Sequence, residues 1–179
     1  EARIEFAHAL NRLEQAPAPL RLNELVHANF LLAYQGQNDV ELQSRYGAWL
    51  CRQSARFQPV RAATVPKRIG LVSSFWRTCT VGSYFASWVG ALKTAGFSVE
   101  LYQLGPEHDA LTARLIAASD HGGVLNGTLE QIAEVIAGRG SDVLIYPELG
   151  MDGRTLTLAS LALARVQLCA WGHPVTTGL

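Results

Sequence analysis

The chain has 179 residues, 49% of them apolar, and its 15 Lys+Arg balance its 15 Asp+Glu. An apolar half with 17% charged residues excludes a disordered chain. Zero net charge without a basic block leaves no electrostatic footprint for nucleic acid or an anionic membrane. No apolar stretch reaches the roughly 18–20 residues of a spanning helix, and the length suits one domain with about 30–60 residues over.

The chain begins with Glu1, and its one Met is Met151. It therefore reads as a processed chain or a segment of a longer protein, without a signal-like start. Cys51, Cys79 and Cys169 are odd in number and far apart, as expected of reduced thiols in a cytoplasmic protein, not of a disulfide framework or a zinc site.

Residues 1–57 read as helical. Ile4, Phe6, Ala7, Leu10 and Leu13 recur at helical spacing, and Pro17 and Pro19 end the run. A second helix is predicted from Pro19 or Leu20 to Gly36, carrying Leu22, Leu25, Val26, Phe30 and Leu32. A third follows Asn38 as N-cap, with Glu41 at the capping-box position and Val40, Leu42, Tyr46, Trp49 and Leu50 on its apolar side. Paired helices of this kind fit either the end of a helical repeat array, although no clear 34-residue self-similarity is present, or a cap packed on the next domain. Residues 58–66, from Gln58 to Pro66, read as a linker.

From Lys67 short apolar strands alternate with helices. Strands are predicted at Ile69–Val72, Val99–Leu104, Gly123–Leu125, Val143–Tyr146 and Val166–Ala170. Helices are predicted at Val81–Ala95, closed by Gly96, at Ala110–Ala118 behind Asp109, from Thr128 to Ala137 with Gln131 as capping-box partner, and over 154–164. The strands are nearly continuous apolar runs, which implies a parallel sheet covered on both faces. The expected fold class is therefore α/β: a Rossmann-like sheet of about five strands over 67–179, in the order 3-2-1-4-5, preceded by an all-helical segment.

In such sheets ligands bind beyond the carboxyl ends of the strands, at the switch point, here flanked by strands one and four. Ser73–Thr80, Pro147–Asp152 and Trp171–Thr177 are thus the stretches where chemistry is expected. The first carries no G-x-G-x-x-G and no Walker A Lys, which argues against a nicotinamide enzyme or a P-loop ATPase. Its Ser74, Thr78 and Thr80 hydroxyls, with Arg77, suit an anion or a diphosphate; the competing assignment makes Thr80 a helix cap and Arg77 a solvated charge. Cys79 adjoins a helix start, where a thiolate is stabilised, but no His lies near it in sequence. Glu148 and Asp152 offer two carboxylates as base or hydroxyl ligands; otherwise Asp152 caps the following helix and Glu148 is exposed. In the last stretch Gly172 permits close backbone approach, His173 offers an imidazole, and Thr176 and Thr177 offer hydroxyls for a sugar or phosphate. His8, His27, His108 and His121 show no metal spacing, and no metal site is read. Phe75 and Trp76 are expected to be exposed, leaving the oligomeric state open.

The segment Ala164-Arg165-Val166-Gln167-Leu168-Cys169-Ala170-Trp171-Gly172-His173-Pro174-Val175-Thr176-Thr177-Gly178 resembles the O-linked N-acetylglucosamine transferase family of glycosyltransferases, which includes SPINDLY and bacterial N-glucosyltransferases. Arg68-Ile69-Gly70-Leu71-Val72-Ser73-Ser74 resembles the family's opening strand. Leu31–Asp39 and Arg45-Tyr46-Gly47 resemble the helical region before it. The resemblance implies a GT-B architecture of two Rossmann-like lobes, this chain being the N-terminal lobe with its helical lead-in. A C-terminal lobe, expected after Leu179, would hold most of a UDP-sugar donor. Gly172, His173 and Pro174 would line the donor-sugar side of the cleft, and Thr176 and Thr177 would continue that wall. One departure is plain: Cys79 occupies the place of a family His, and Arg165-Val166 replaces the proline before Gln167. A proton-exchange role would then pass to Arg77, His173 or a carboxylate.

The function implied is part of a UDP-sugar-dependent glycosyltransferase acting on Ser, Thr or Asn of a protein or peptide acceptor, in the cytoplasm, with no cofactor besides the donor substrate. The alternative is a degenerate, non-catalytic lobe that binds a partner through its helices.

Overall fold

The computed structural model describes residues 2–15, 21–54, 65, 67–173 and 175–179. Five strands form one parallel sheet: β1 (Arg68–Ser73), β2 (Ser98–Leu104), β3 (His121–Leu125), β4 (Val143–Tyr146) and β5 (Val166–Cys169), in the order β3-β2-β1-β4-β5. Ile69 stands opposite Val99 on β2 and Val143 on β4. The order and the parallel pairing are those expected from the sequence, and β1 and β4 flank the switch point.

The two faces of the sheet follow from the two-residue period of the strands. Ile69, Leu71, Val99, Leu101, Val143 and Ile145 point to one side. There they pack with Trp76, Val81, Phe85, Val89, Leu111 and Leu115 from α3 (Thr80–Phe85), α4 (Ser87–Thr94), α5 (Ala110–Ala118) and the loop before them. Val72, Tyr102, Leu104, Leu144 and Tyr146 point to the other side, onto α6 (Leu129–Arg139) and α7 (Gly153–Ser160). Burying each such side chain contributes about 1.5–3 kcal/mol. Buried Glu100 on β2 accepts from Tyr102 Oη at 2.9 Å, Ser141 Oγ at 2.7 Å and Arg139 Nε at 3.2 Å.

The helical lead-in belongs to the second core. Leu10 of α1 (Ala2–Glu14), Leu22, Leu25, and Leu42, Tyr46, Trp49 and Leu50 of α2 (Val40–Ser54) join the cluster that contains Leu156 and Leu158. Trp49 Nε1 donates to the Leu13 carbonyl at 3.0 Å, and the Tyr46 and Trp49 rings stack. Asn38 Oδ1 accepts the Val40 amide at 3.0 Å, but the N-cap position expected of Asn38 falls to Asp39, whose carbonyl accepts the Gln43 amide at 2.9 Å. Asp109 and Thr128 cap α5 and α6 as expected, each with a reciprocal bond from the third helical residue.

Five further expectations are corrected. The second helix is two short 3-10 turns, Leu22–Leu25 and Phe30–Gln35. Between them the backbone bonds outward: the Leu25 carbonyl accepts from Thr157 Oγ1 at 3.3 Å and the His27 carbonyl from Tyr46 Oη at 3.5 Å, so it serves its neighbours and not a helix. The helix predicted over Val81–Ala95 starts at Thr80 and is interrupted at Ala86, which keeps a helical φ/ψ of −54°, −35°. The helix predicted to 164 ends at Ser160. Ala162 has φ +52°, and Gln167 Nε2 takes the Ala159 carbonyl at 2.7 Å. The fifth strand is not buried: as the sheet edge it leaves Val166 and Leu168 exposed. Trp76 is fully buried, not exposed, and Phe75 is half-buried. The expected linker 58–66 lies outside the described residues except for position 65, as does the expected opening of the second helix at Pro19 or Leu20.

Candidate functional site

The carboxyl edge of the sheet carries three loops. The first, after β1, is held by side chains of its neighbours. Gln103, fully buried at the end of β2, accepts the Trp76 amide at 2.8 Å through Oε1. Its Nε2 donates to the carbonyls of Ser74, Leu104 and Glu107 at 3.0–3.1 Å. Thr112 Oγ1 donates to the Trp76 carbonyl, and Asp109 Oδ2 accepts the Thr78 amide at 2.8 Å. Hydrogen bonds from Thr78 hold the Asp109 carboxyl well below the usual range, outweighing the opposing effect of burial. Cys79 takes the N-cap position of α3 without a side-chain cap, its Sγ 3.5 Å from the Phe75 carbonyl. Thr78 and Thr80 are exposed.

Beside this loop lies a cleft of about 250 Å³, lined by Ser74, Phe75, Arg77, Leu104, Pro106, Glu107, Asp152 and Arg154. Two ion pairs bound it. Arg77 Nη2 meets Glu107 Oε2 at 2.9 Å, and Arg154 Nη2 meets Asp152 Oδ2 at 2.8 Å. Asp152 also accepts the Arg154 amide at 2.6 Å, so it does cap α7. Burial works to raise its pKa, but the Arg154 guanidinium outweighs burial and holds it low.

Glu148, in the loop after β4, is completely buried, not exposed. Neither carboxylate oxygen has a well-formed hydrogen bond among the described residues. Desolvation pushes its pKa up to about 8; the Ser73 hydroxyl and the Ser74 amide offset this only in part, and the Asp152 charge adds to it. At neutral pH the side chain is therefore mostly the uncharged acid.

The third loop leaves β5 and crosses the second. The Gly172 amide donates to the Pro147 carbonyl at 2.8 Å, and a Cβ at Gly172 would stand 2.5 Å from that oxygen and 3.1 Å from Glu148 Cβ. Only glycine lets the two loops lie this close. His173 is buried; its Nδ1 lies 3.1 Å from the Leu149 carbonyl, which can only accept, so Nδ1 carries the proton. Its Nε2 has no partner among the described residues, and its ring packs on Phe30 with centroids 5.0 Å apart. Thr176 and Thr177 accept the amides of Gly178 and Leu179 through their hydroxyls. A Cβ at Gly178 would overlap the Gln43 carbonyl of α2, so this segment is seated on the lead-in. Trp171 is exposed and meets Tyr84, Phe85 and Trp88; Trp171, Tyr84 and Phe85, with Thr80 and Gly172, flank a second cavity of about 250 Å³.

The structure thus brings Ser74, Arg77 and Asp152 into one cleft, and Thr80 and Gly172 into another. Thr177 lines a third of about 360 Å³ with Cys169 and Leu179. Glu148 and His173 lie buried, and Pro174 falls outside the described residues. Sequence reasoning missed Glu107, Arg154 and Gln103. The Gly105-Pro106 turn was a signal for a loop at the same edge as Glu107, and Arg154, two residues after Asp152, was a signal for its pairing. Among the described residues no group of three or more His, Cys, Asp or Glu is placed to hold a metal, and no helix is long and apolar enough to cross a membrane.

No protein-family model matches the chain, and no curated protein matches it in sequence. Among solved structures it is similar to a mutant of the O-GlcNAc transferase of Thermobaculum terrenum, with 28% identity and a TM-score of 0.61 over 83% of this chain. The chain spans 30% of the length of that structure. The five-stranded parallel sheet with its helices is thus an O-GlcNAc-transferase-like fold.

Proposed function

We propose that this chain is the N-terminal lobe, with its helical lead-in, of a UDP-sugar-dependent protein glycosyltransferase. The observation that carries the reading is the similarity over 83% of the chain, in fold and in 28% of residues, to an O-GlcNAc transferase. The carboxyl edge supports it. The loops after β1 and β4 lie at the switch point, where ligands bind in sheets of this kind, and the crossing at Gly172 packs the loop after β5 closely against the second of them.

In the proposed reaction an acceptor oxygen or nitrogen forms a bond to the anomeric carbon. The carbon–oxygen bond to UDP breaks, UDP leaves with the electron pair, and the acceptor proton passes to a base or to water. This lobe supplies position more than proton transfer. Glu148 is a buried acid at neutral pH, and the His173 ring is enclosed by Phe30 and the Leu149 carbonyl. Their part is to hold the crossing of the second and third loops, while Arg77 and the hydroxyls of Ser74 and Thr80 face the clefts.

The test is sugar transfer by the full-length protein from UDP-N-acetylglucosamine and from UDP-glucose to Ser-, Thr- and Asn-containing peptides, with UDP release as the second readout. Transfer from either donor is expected. No transfer combined with no UDP binding in calorimetry would overturn the reading in favour of a partner-binding lobe. The 179-residue chain alone is expected to bind UDP more weakly than micromolar, because the donor is assigned to the other lobe.

A further inference from the structure

Two guanidinium groups border the switch-point cleft, and they are engaged differently. Arg154 grips Asp152 through Nε, 3.2 Å from both oxygens, and through Nη2 at 2.8 Å. The Nε–Nη2 edge of Arg154 is therefore taken by Asp152. Arg77 is half used. Its Nη2 holds one oxygen of Glu107, while Nε, on the same edge of the fork, has no partner among the described residues. The Phe75 ring, 5.7 Å from Cζ, steadies the guanidinium.

Glu107 is suited to leave. Its backbone carbonyl is tied to Gln103 Nε2 at 3.0 Å, but its side chain is 70% exposed, against 32% for Arg77. An exposed pair of this kind contributes little, so exchanging one carboxylate for another costs little. The buried Ser74 hydroxyl also borders the cleft, beside Asp152, whose charge it helps to stabilise.

We propose that Arg77 binds a carboxylate of the acceptor protein, an Asp or Glu side chain near the modified residue, and that Glu107 occupies that place until the acceptor arrives. The proposal rests on the glycosyltransferase reading for the word acceptor. A single charge is favoured over a diphosphate because Glu107 and Asp152 share the cleft and the Nε–Nη2 edge of Arg77, whose buried Nε is unpaired among the described residues, matches one carboxylate. One carboxylate replaces another without changing the cleft's charge, and it gains the bidentate contact that Glu107 leaves unmade.

The experiment measures fluorescence anisotropy of a labelled Ser peptide flanked by Asp and Glu, and of its Asn and Gln counterpart, with the full-length protein. Wild type, Arg77→Gln and Glu107→Gln are compared. Wild type is expected to prefer the acidic peptide by about fivefold at low salt, and less at high salt. Arg77→Gln should abolish the preference, and Glu107→Gln should widen it by removing the competitor. The opposite signs separate recognition from a general loss of structure, and Glu107→Gln carries the test if Arg77→Gln does not fold. Equal affinities in wild type, a preference unchanged in Arg77→Gln, or acidic-peptide binding weakened in Glu107→Gln would overturn the proposal. So would an effect of Arg77→Gln on UDP-sugar affinity in place of peptide affinity. Sugar transfer to the same peptides is scored separately. Preference without transfer overturns the enzymatic reading and leaves Arg77 a peptide-binding residue; transfer without preference overturns only the role of Arg77.

Discussion

Replacing Glu148 with Gln should change the pH dependence of stability more than stability itself. The carboxyl titrates at about 8 in the folded chain and at its ordinary 4.5 once unfolded. Below the lower value both states hold the proton and nothing is lost. Between the two, the unfolded chain releases its proton while the folded chain keeps it, so stability falls by about 1.4 kcal/mol per pH unit. The total loss, complete above the folded value, is about 4–5 kcal/mol, a large part of the 5–15 kcal/mol typical of a domain. Gln has nearly the shape of the uncharged acid and no proton to release. Urea unfolding of wild type and Glu148→Gln from pH 5 to pH 9 reads this group, because titrations that do not feel the Glu148 charge are common to both. The curves should lie within about 1 kcal/mol at pH 5, with the variant more stable by about 4 kcal/mol at pH 9. A difference that stays flat across the range would refute the account of a desolvated carboxyl.

Three further outcomes follow from packing. Gly172→Ala must push the third loop off the Pro147 carbonyl, 2.5 Å from the new methyl group, and should cost about 1–3 kcal/mol, read as a lowered Tm. Trp76→Ala empties a fully buried site and removes packing beneath the first loop; a loss of about 3–5 kcal/mol in chemical denaturation is expected, and a loss below 1 kcal/mol would contradict its burial. Asp109→Ala removes the cap of α5 and the acceptor of the Thr78 amide together. Thermal unfolding should show a lowered Tm, by an amount that shrinks as pH falls through the acid range, because protonating the native carboxyl weakens the same bonds.

The sheet was legible because its signals are local. Ile69–Val72 and Val143–Tyr146 are short apolar runs between breakers, Asp109 and Thr128 carry their caps beside them, and right-handed crossovers leave few orders for five strands. The lead-in was read less well because tertiary partners decide it: Thr157 and Tyr46, far along the chain, take the carbonyls on which a continuous second helix would depend. The edge position of β5 is likewise invisible in Val166–Cys169, an apolar run that reads the same at the centre of a sheet or at its rim. At the candidate site the right stretches were found, since the carboxyl ends of the strands define them. The roles inside them depend on burial. Glu148 carries no mark in sequence of its removal from water, and Arg77 acquires its partner only when the turn after β2 brings Glu107 alongside.

The seat of Gly178 on α2, together with the His173 ring against Phe30, makes the lead-in a mechanical foundation for the third loop. Load placed on α2 reaches Gly178 through backbone contact, and load on the Phe30 turn reaches His173 through the packed rings. A molecule that grips α2 therefore acts directly on the segment that carries Thr177 and Leu179 to the cavity beside Cys169.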